Sequence, residues 1–153
     1  MDGASVRFEQ GVKLRYVRRI IEETVRLWPS DPAFFRKARQ ETTLADSPIR
    51  KSQTILVVLL APPRPKTVGQ RRAFDPDWFL LATVPVRPAH AYKPFGIGAR
   101  ACIGRQFALH ETVLALAQIL TRFAIVPTPG YELTVKELLT IRPEKVRREM
   151  RPC

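Results

Sequence analysis

One cysteine, set in a glycine-loosened loop just ahead of an apolar helical pattern, constrains this chain more than any other feature. The loop reads Phe95-Gly96-Ile97-Gly98-Ala99-Arg100-Ala101-Cys102-Ile103-Gly104, and a helix-like stretch from Arg105 to Phe123 follows it. A helix start presents unpaired N–H groups and the positive end of the helix dipole, and both favour an ionised sulfur over a neutral thiol. Arg100 adds a cation close by in sequence. Taken singly, such a cysteine reads as a small buried hydrophobe. In this setting it reads as a held thiolate, and a metal is one reason to hold it. A phosphate-binding loop fails as an alternative: a dinucleotide fingerprint begun at Gly96 and Gly98 puts its third glycine at Ala101, and no strand pattern leads into it.

The chain has 153 residues, the length of one domain, and its 45% of hydrophobic residues is that of an ordinary globular protein. Cys102 and Cys153 are the only cysteines, so there is no disulfide framework and the usage suits a reducing compartment. Met1-Asp2-Gly3-Ala4-Ser5 lacks the apolar core of a signal peptide. The longest apolar run, Ile55 to Ala61, falls far short of the roughly 20 residues of a bilayer span. The expectation is a soluble, cytoplasmic protein with no transmembrane segment. A net charge of +12, from 26 basic and 14 acidic residues, suits an acidic partner or surface. The basic residues are scattered and form no recognisable nucleic-acid module, which disfavours nucleic acid as the partner.

Leu14, Val17, Ile20, Ile21, Val25 and Trp28 recur at three- and four-residue steps and predict an amphipathic helix over 12–28, ended by Pro29 and Pro32. Glu23 and Arg26 share one face of it, and by spacing alone they read as a surface ion pair worth about 0.2–1 kcal/mol. Residues 29–61 read as a small sheet, with an extended stretch from Ala33 to Thr43, a turn at Asp46-Ser47-Pro48 and a buried strand from Thr54 to Leu60. The proline-rich stretch 62–94 reads as loop. A second helix is expected over 105–123, with His110 on its surface, and Pro127 and Pro129-Gly130 stop it. Tyr131 to Thr134 and Leu138 to Pro143 read as two short strands of a hairpin over 131–143. The sum is a mainly α chain with small β-sheets.

The cysteine loop spells Phe-x-x-Gly-x-Arg-x-Cys-x-Gly without a mismatch, and so resembles the heme-ligand signature of the cytochrome P-450 superfamily, the heme-thiolate monooxygenases. Glu23-Thr24-Val25-Arg26-Leu27-Trp28-Pro29 looks like the Glu-x-x-Arg helix of the same family. His90-Ala91-Tyr92-Lys93-Pro94-Phe95-Gly96, Phe107-Ala108-Leu109-His110-Glu111 and Tyr131-Glu132-Leu133 resemble the reductase-fused fatty-acid hydroxylases of bacteria and fungi. The resemblance runs from Val12 to Pro143 and implies the C-terminal part of the cytochrome P-450 fold in a single partial domain over 1–153. The fold is incomplete, because no Ala-Gly-x-x-Thr-like segment of the oxygen-handling helix occurs.

What the resemblance implies can be set out residue by residue. Cys102 would be the axial metal ligand of heme b, iron protoporphyrin IX, and Arg100 would pair with a heme propionate. Phe95 would shield the sulfur. Gly98 and Gly104 would let backbone approach the sulfur and porphyrin, and supply positive φ. His90 would contact a propionate or be a plain loop residue. Glu23 and Arg26 would form a buried structural pair. Trp78, in Phe74-Asp75-Pro76-Asp77-Trp78-Phe79, stands where the family carries an arginine, which leaves that pair without its third partner. Asp31, Ala33, Leu139 and Thr140 would line the substrate pocket, where Asp31 is an unusual acid. The implied function is a monooxygenase, whole or truncated, inserting one oxygen atom from O₂ into an apolar small molecule such as a fatty acid. Its electrons would come from NADPH through a flavoprotein reductase partner. The alternative is a non-catalytic heme-binding remnant or a non-functional gene fragment.

Overall fold

Two helices meet side by side, and the apolar period of each is what brings them together. The computed structural model describes residues 6–59, 74–82, 85, 91–137 and 140–153. Helix α1 (Arg15–Leu27) turns Ile21 inward, and helix α2 (Arg105–Leu120) meets it with Leu109 and Val113, one turn apart. Leu14, Val17, Val25, Phe95 and Leu116 pack around these three. Each fully buried side chain of this kind contributes about 1.5–3 kcal/mol.

A 3-10 helix (Phe8–Lys13) leads into α1 and lies against α2. Leu14, at φ −81° and ψ 55°, breaks the helical path between the two, so the helix expected over 12–28 is shorter. Gln118 Nε2 donates to the Val6 carbonyl at 2.9 Å, and the Phe8 ring meets His110 with centroids 4.3 Å apart. His110 is therefore half-buried in a contact, not on an open helix surface. Gly11 gives the ring room, because a Cβ there would fall 2.9 Å from His110 Cε1 and displace the imidazole.

Strand β1 (Ala33–Lys37) pairs antiparallel with β4 (Thr54–Val58), Ala33 opposite Val58 and Lys37 opposite Thr54. Between them β2 (Thr42–Leu44) and β3 (Ser47–Ile49) form a hairpin. Its turn falls on Ala45 and Asp46 and not on 46–48, with Ser47 and Pro48 inside the strand, where a two-stranded edge tolerates a proline. Leu60, expected in the last strand, lies outside the described residues.

The helix expected to run to Phe123 ends at Leu120. Thr121 N–H still reaches Ala117 O, but Arg122 N–H turns to Ile119 O at 3.1 Å and the chain leaves as a strand. That strand, β5 (Phe123–Val126), pairs with β8 (Glu149–Pro152), which carries no alternating pattern and was invisible in sequence. The other hairpin joins β6 (Val135–Glu137) to β7 (Ile141–Pro143). Tyr131 to Thr134 stays outside it: Tyr131 N–H bonds Thr128 O at 3.2 Å across a turn with Gly130 at φ +69°, and its hydroxyl donates to Lys145 O.

The described part of the expected loop over 62–94 holds a helical turn. Pro76–Phe79 form a 3-10 helix whose N-cap, Asp75, accepts from Asp77 N–H at 3.1 Å, with Pro76 at its start. This turn packs on α1 and covers the Glu23–Arg26 pair. Arg26 Nε and Nη2 donate to Glu23 Oε2 and Oε1 at 2.5 and 2.7 Å, and Asp75 N–H adds a third bond to Oε1 at 3.0 Å. Glu23 is 0% exposed and Arg26 8%, so the surface-pair reading from spacing is overturned. The expectation that Trp78 leaves the pair short of a partner is also corrected. The indole lies under the Arg26 guanidinium, 5.1 Å from centroid to Cζ, and supplies a π face where a charge was expected. Arg19 Nη1 to Asp77 Oδ1, at 2.8 Å, ties the same two elements at the surface.

Two substitutions separate these contributions. Glu23→Ala strands a buried guanidinium and is expected to lower the unfolding free energy by about 3–5 kcal/mol. Trp78→Leu keeps an apolar side chain but removes the π face, and should cost about 0.5–2 kcal/mol. Urea denaturation followed by circular dichroism measures both, and equal losses would contradict the division of roles.

Candidate functional site

Phe95 anchors the cysteine loop. Its side chain packs on the α1–α2 cluster, and its carbonyl accepts the Cys102 N–H at 2.8 Å, closing the loop into a ring fastened to the core. Within the ring Gly96 N–H donates to Lys93 O and Ala101 N–H to Gly98 O, both at 3.0 Å, around a 3-10 turn at Gly98–Arg100. Gly96 and Gly98 take φ of +69° and +65°, a region costly for any residue with a Cβ. Positive φ was expected at Gly98 and Gly104. Gly104 instead sits at φ −80°, ψ 0°, as the N-cap of α2, and Gly96 takes the second strained place. The contribution of Gly104 is room, since a Cβ there would stand 3.9 Å from Cys102 Sγ.

Arg105 N–H bonds Cys102 O at 3.4 Å, so the sulfur-bearing residue lies immediately before the first turn of α2. Cys102 is a free, exposed thiol. The α2 N-terminus and Arg100 supply positive potential on its side of the loop.

Cys102 and Arg100 open on a cavity of about 900 Å³. One wall is the loop itself. The others are the α1 face with Ile20 and Thr24, the α2 face with Ala108, Thr112 and Ala115, and the segment from Ser30 to Arg36. Thr24 Oγ1 donates to Ile20 O at 2.8 Å and Thr112 Oγ1 to Ala108 O at 2.7 Å, so both hydroxyls are spent on their own helices and the two helix walls are apolar in effect. Sequence reasoning missed these helix residues. The signal was there in Ala108, Thr112, Ala115 and Ile119, small and apolar residues on one face of α2.

The structure brings together Cys102, Arg100, Phe95, Asp31 and Ala33 around this cavity. Gly98 shapes the loop and does not line it. Thr140 is not among the described residues that line it: it is exposed, and the Ile141 N–H beside it bonds Ser30 O at 2.8 Å, which ties the hairpin to the segment that forms one wall. Glu23 and Arg26 lie away from it under the Trp78 turn. His90 and Leu139 lie outside the described residues.

The sequence profile described as cytochrome P-450 matches residues 2–147. The chain belongs to the cytochrome P-450 family. It is 39% identical over 153 residues to bifunctional cytochrome P-450/NADPH–P-450 reductase 2 of Bacillus subtilis (strain 168), a match covering 95% of this chain and 14% of that protein. It is 37% identical over 136 residues to a self-sufficient cytochrome P-450 monooxygenase of Phanerodontia chrysosporium, covering 86% of this chain and 13% of that one. Among solved structures, it superposes on the crystal structure of a cytochrome P-450 with a TM-score of 0.89 and 41% identity, covering 99% of this chain and 35% of the other. The chain thus spans about a seventh of the length of the curated relatives and about a third of the solved domain. No described helix is long and apolar enough to cross a membrane.

Membership of the family implies heme, and the residues fit it. Among the described residues no group of three or more His, Cys, Asp or Glu could hold a bare metal ion. A lone described sulfur suits a metal that brings most of its own ligands, as iron in a porphyrin does. One sulfur, the Arg100 guanidinium in the same loop and the largely apolar helix faces suit a flat, apolar macrocycle with anionic side groups.

The loop geometry carries its own test. In the heme-free chain Gly98→Ala and Gly96→Ala each force a Cβ into the left-handed region and should cost about 1–2 kcal/mol. Gly104→Ala, at negative φ with only ordinary contact to the sulfur, should cost less. Thermal unfolding of the three variants ranks them, and a Gly104 variant as damaging as the other two would contradict the assignment.

Proposed function

We propose that this chain forms the thiolate-side wall of the heme pocket of a monooxygenase, in which Cys102 would hold the iron. The observation that supports it most is the meeting of the Cys102 thiol, Arg100 and apolar helix faces at one cavity, in a chain of this family. When bound, the heme would supply the redox chemistry that reduces O₂ with two electrons and two protons, one oxygen atom going into a substrate C–H bond and the other leaving as water.

The protein's own part is to hold and insulate. The bond from Cys102 N–H to Phe95 O fixes the sulfur-bearing residue relative to the helix core, and the start of α2 sets positive potential beside it. Arg100 holds a propionate through a charge-assisted contact suited to a planar guanidinium. Phe95, with the Arg105 guanidinium 5.6 Å over its ring, keeps water from that flank of the loop. The apolar faces of α1 and α2 accept the macrocycle. Ala33 and its neighbours receive an apolar small molecule, of which fatty acids are the class that the resemblance to the fused hydroxylases implies. Electrons reach the site from NADPH through a flavoprotein reductase, the activity named in the bacterial relative. The excess of basic over acidic residues, 26 to 14, suits docking to an acidic reductase face.

Heme reconstitution tests this reading. The reduced chain under CO is expected to show the strongly red-shifted Soret band of a thiolate-ligated heme, and Cys102→Ser to lose that band. Uptake of heme with the same spectrum in both proteins would overturn the assignment of the ligand.

A further inference from the structure

Asp31 is the one acid among the described residues that line the cavity. It is exposed, and among the described residues no hydrogen bond or ion pair engages its carboxylate. Two arginines share the lining. Arg100 is assigned above to a propionate, and the Arg36 guanidinium lies 4.2 Å over the Phe34 ring and donates to Phe35 O at 2.9 Å. With the two threonine hydroxyls spent on their own helices, Asp31 is the one anionic acceptor in the described lining, beside the neutral Ser30 hydroxyl.

Its position is set by backbone on both sides. Ser30 O accepts Ile141 N–H at 2.8 Å, and Pro32 O accepts Leu59 N–H at 2.7 Å. The proline that follows restricts Asp31 itself to an extended conformation. A carboxylate pinned in this way beside apolar walls is costly to cover with a hydrocarbon and is relieved by a cation. A second carboxylate brought to it is repelled.

We propose that Asp31 is a specificity-determining residue that turns the pocket toward apolar substrates bearing a cationic group and against carboxylates, fatty acids included. This rests on the heme-pocket reading above and replaces the fatty-acid expectation with a cationic amphiphile.

The test uses the full chain loaded with heme, alongside Asp31→Asn and Asp31→Ala. Decyltrimethylammonium, which cannot ligate iron, and decanoate are titrated below their micellar concentrations. Binding is read by calorimetry and by perturbation of the heme absorption band. The native chain is expected to bind the cation at least about fivefold more tightly than the carboxylate, with the preference lost in both variants. Equal affinities in the native chain, or a preference that survives Asp31→Asn, overturns the role of Asp31 while leaving the heme site standing. Failure of the native chain to form a thiolate-ligated heme overturns the reading of the site, and this inference with it.

Discussion

A carboxylate with no exposure to solvent has to be met by donors from every side, and Glu23 imposes that demand on its surroundings. Arg26 answers with two parallel hydrogen bonds from the next turn of the same helix, and the Asp75 amide answers from a distant segment. Because a buried charge left unpaired costs several kcal/mol, the turn at Pro76–Phe79 cannot drift from α1 without exposing or stranding the pair. The Trp78 indole closes the far side of the guanidinium. The pair is specific more than it is stabilising: it fixes which face of α1 receives the turn, and so which face is left for α2 and the cavity.

That division of α1 carries through to the chemistry. Ile21 and its neighbours hold α2 and the Phe95 side chain, and Phe95 in turn holds Cys102 through a single backbone bond. The sulfur is therefore two steps from the helix core, although it lies on a loop. On the adjoining face Ile20 and Thr24 look into the cavity that the sulfur also faces. Helix packing and loop closure are one continuous arrangement, and the chain superposes on the solved cytochrome P-450 over 99% of its length.

The parts legible in sequence were those set by local rules. The cores of both helices followed from apolar period, and the cysteine loop from its pattern of glycine, arginine and cysteine. What sequence hid was decided by tertiary contact. Nothing in the spacing of Glu23 and Arg26 says that a turn from residue 75 onward will bury them. Nothing in Trp78 as a departure from the family's arginine says that its ring will stack on the same guanidinium. The strand Glu149–Pro152 has no pattern of its own and exists because β5 offers it an edge. Gly96, passed over in favour of Gly104, shows the limit of reading glycines by rank in a motif: the backbone path decides which one must take positive φ.

Ligation of iron by the Cys102 sulfur is the claim on which the rest turns, and it is most directly tested by resonance Raman spectroscopy of the ferric heme-loaded chain. With Cys153 changed to Ser, Cys102 is the only cysteine, so growth on ³⁴S-cysteine labels one thiol. An iron–sulfur stretching mode that moves to lower frequency on labelling is the predicted result. A heme-loaded chain whose spectrum has no isotope-sensitive mode would contradict it.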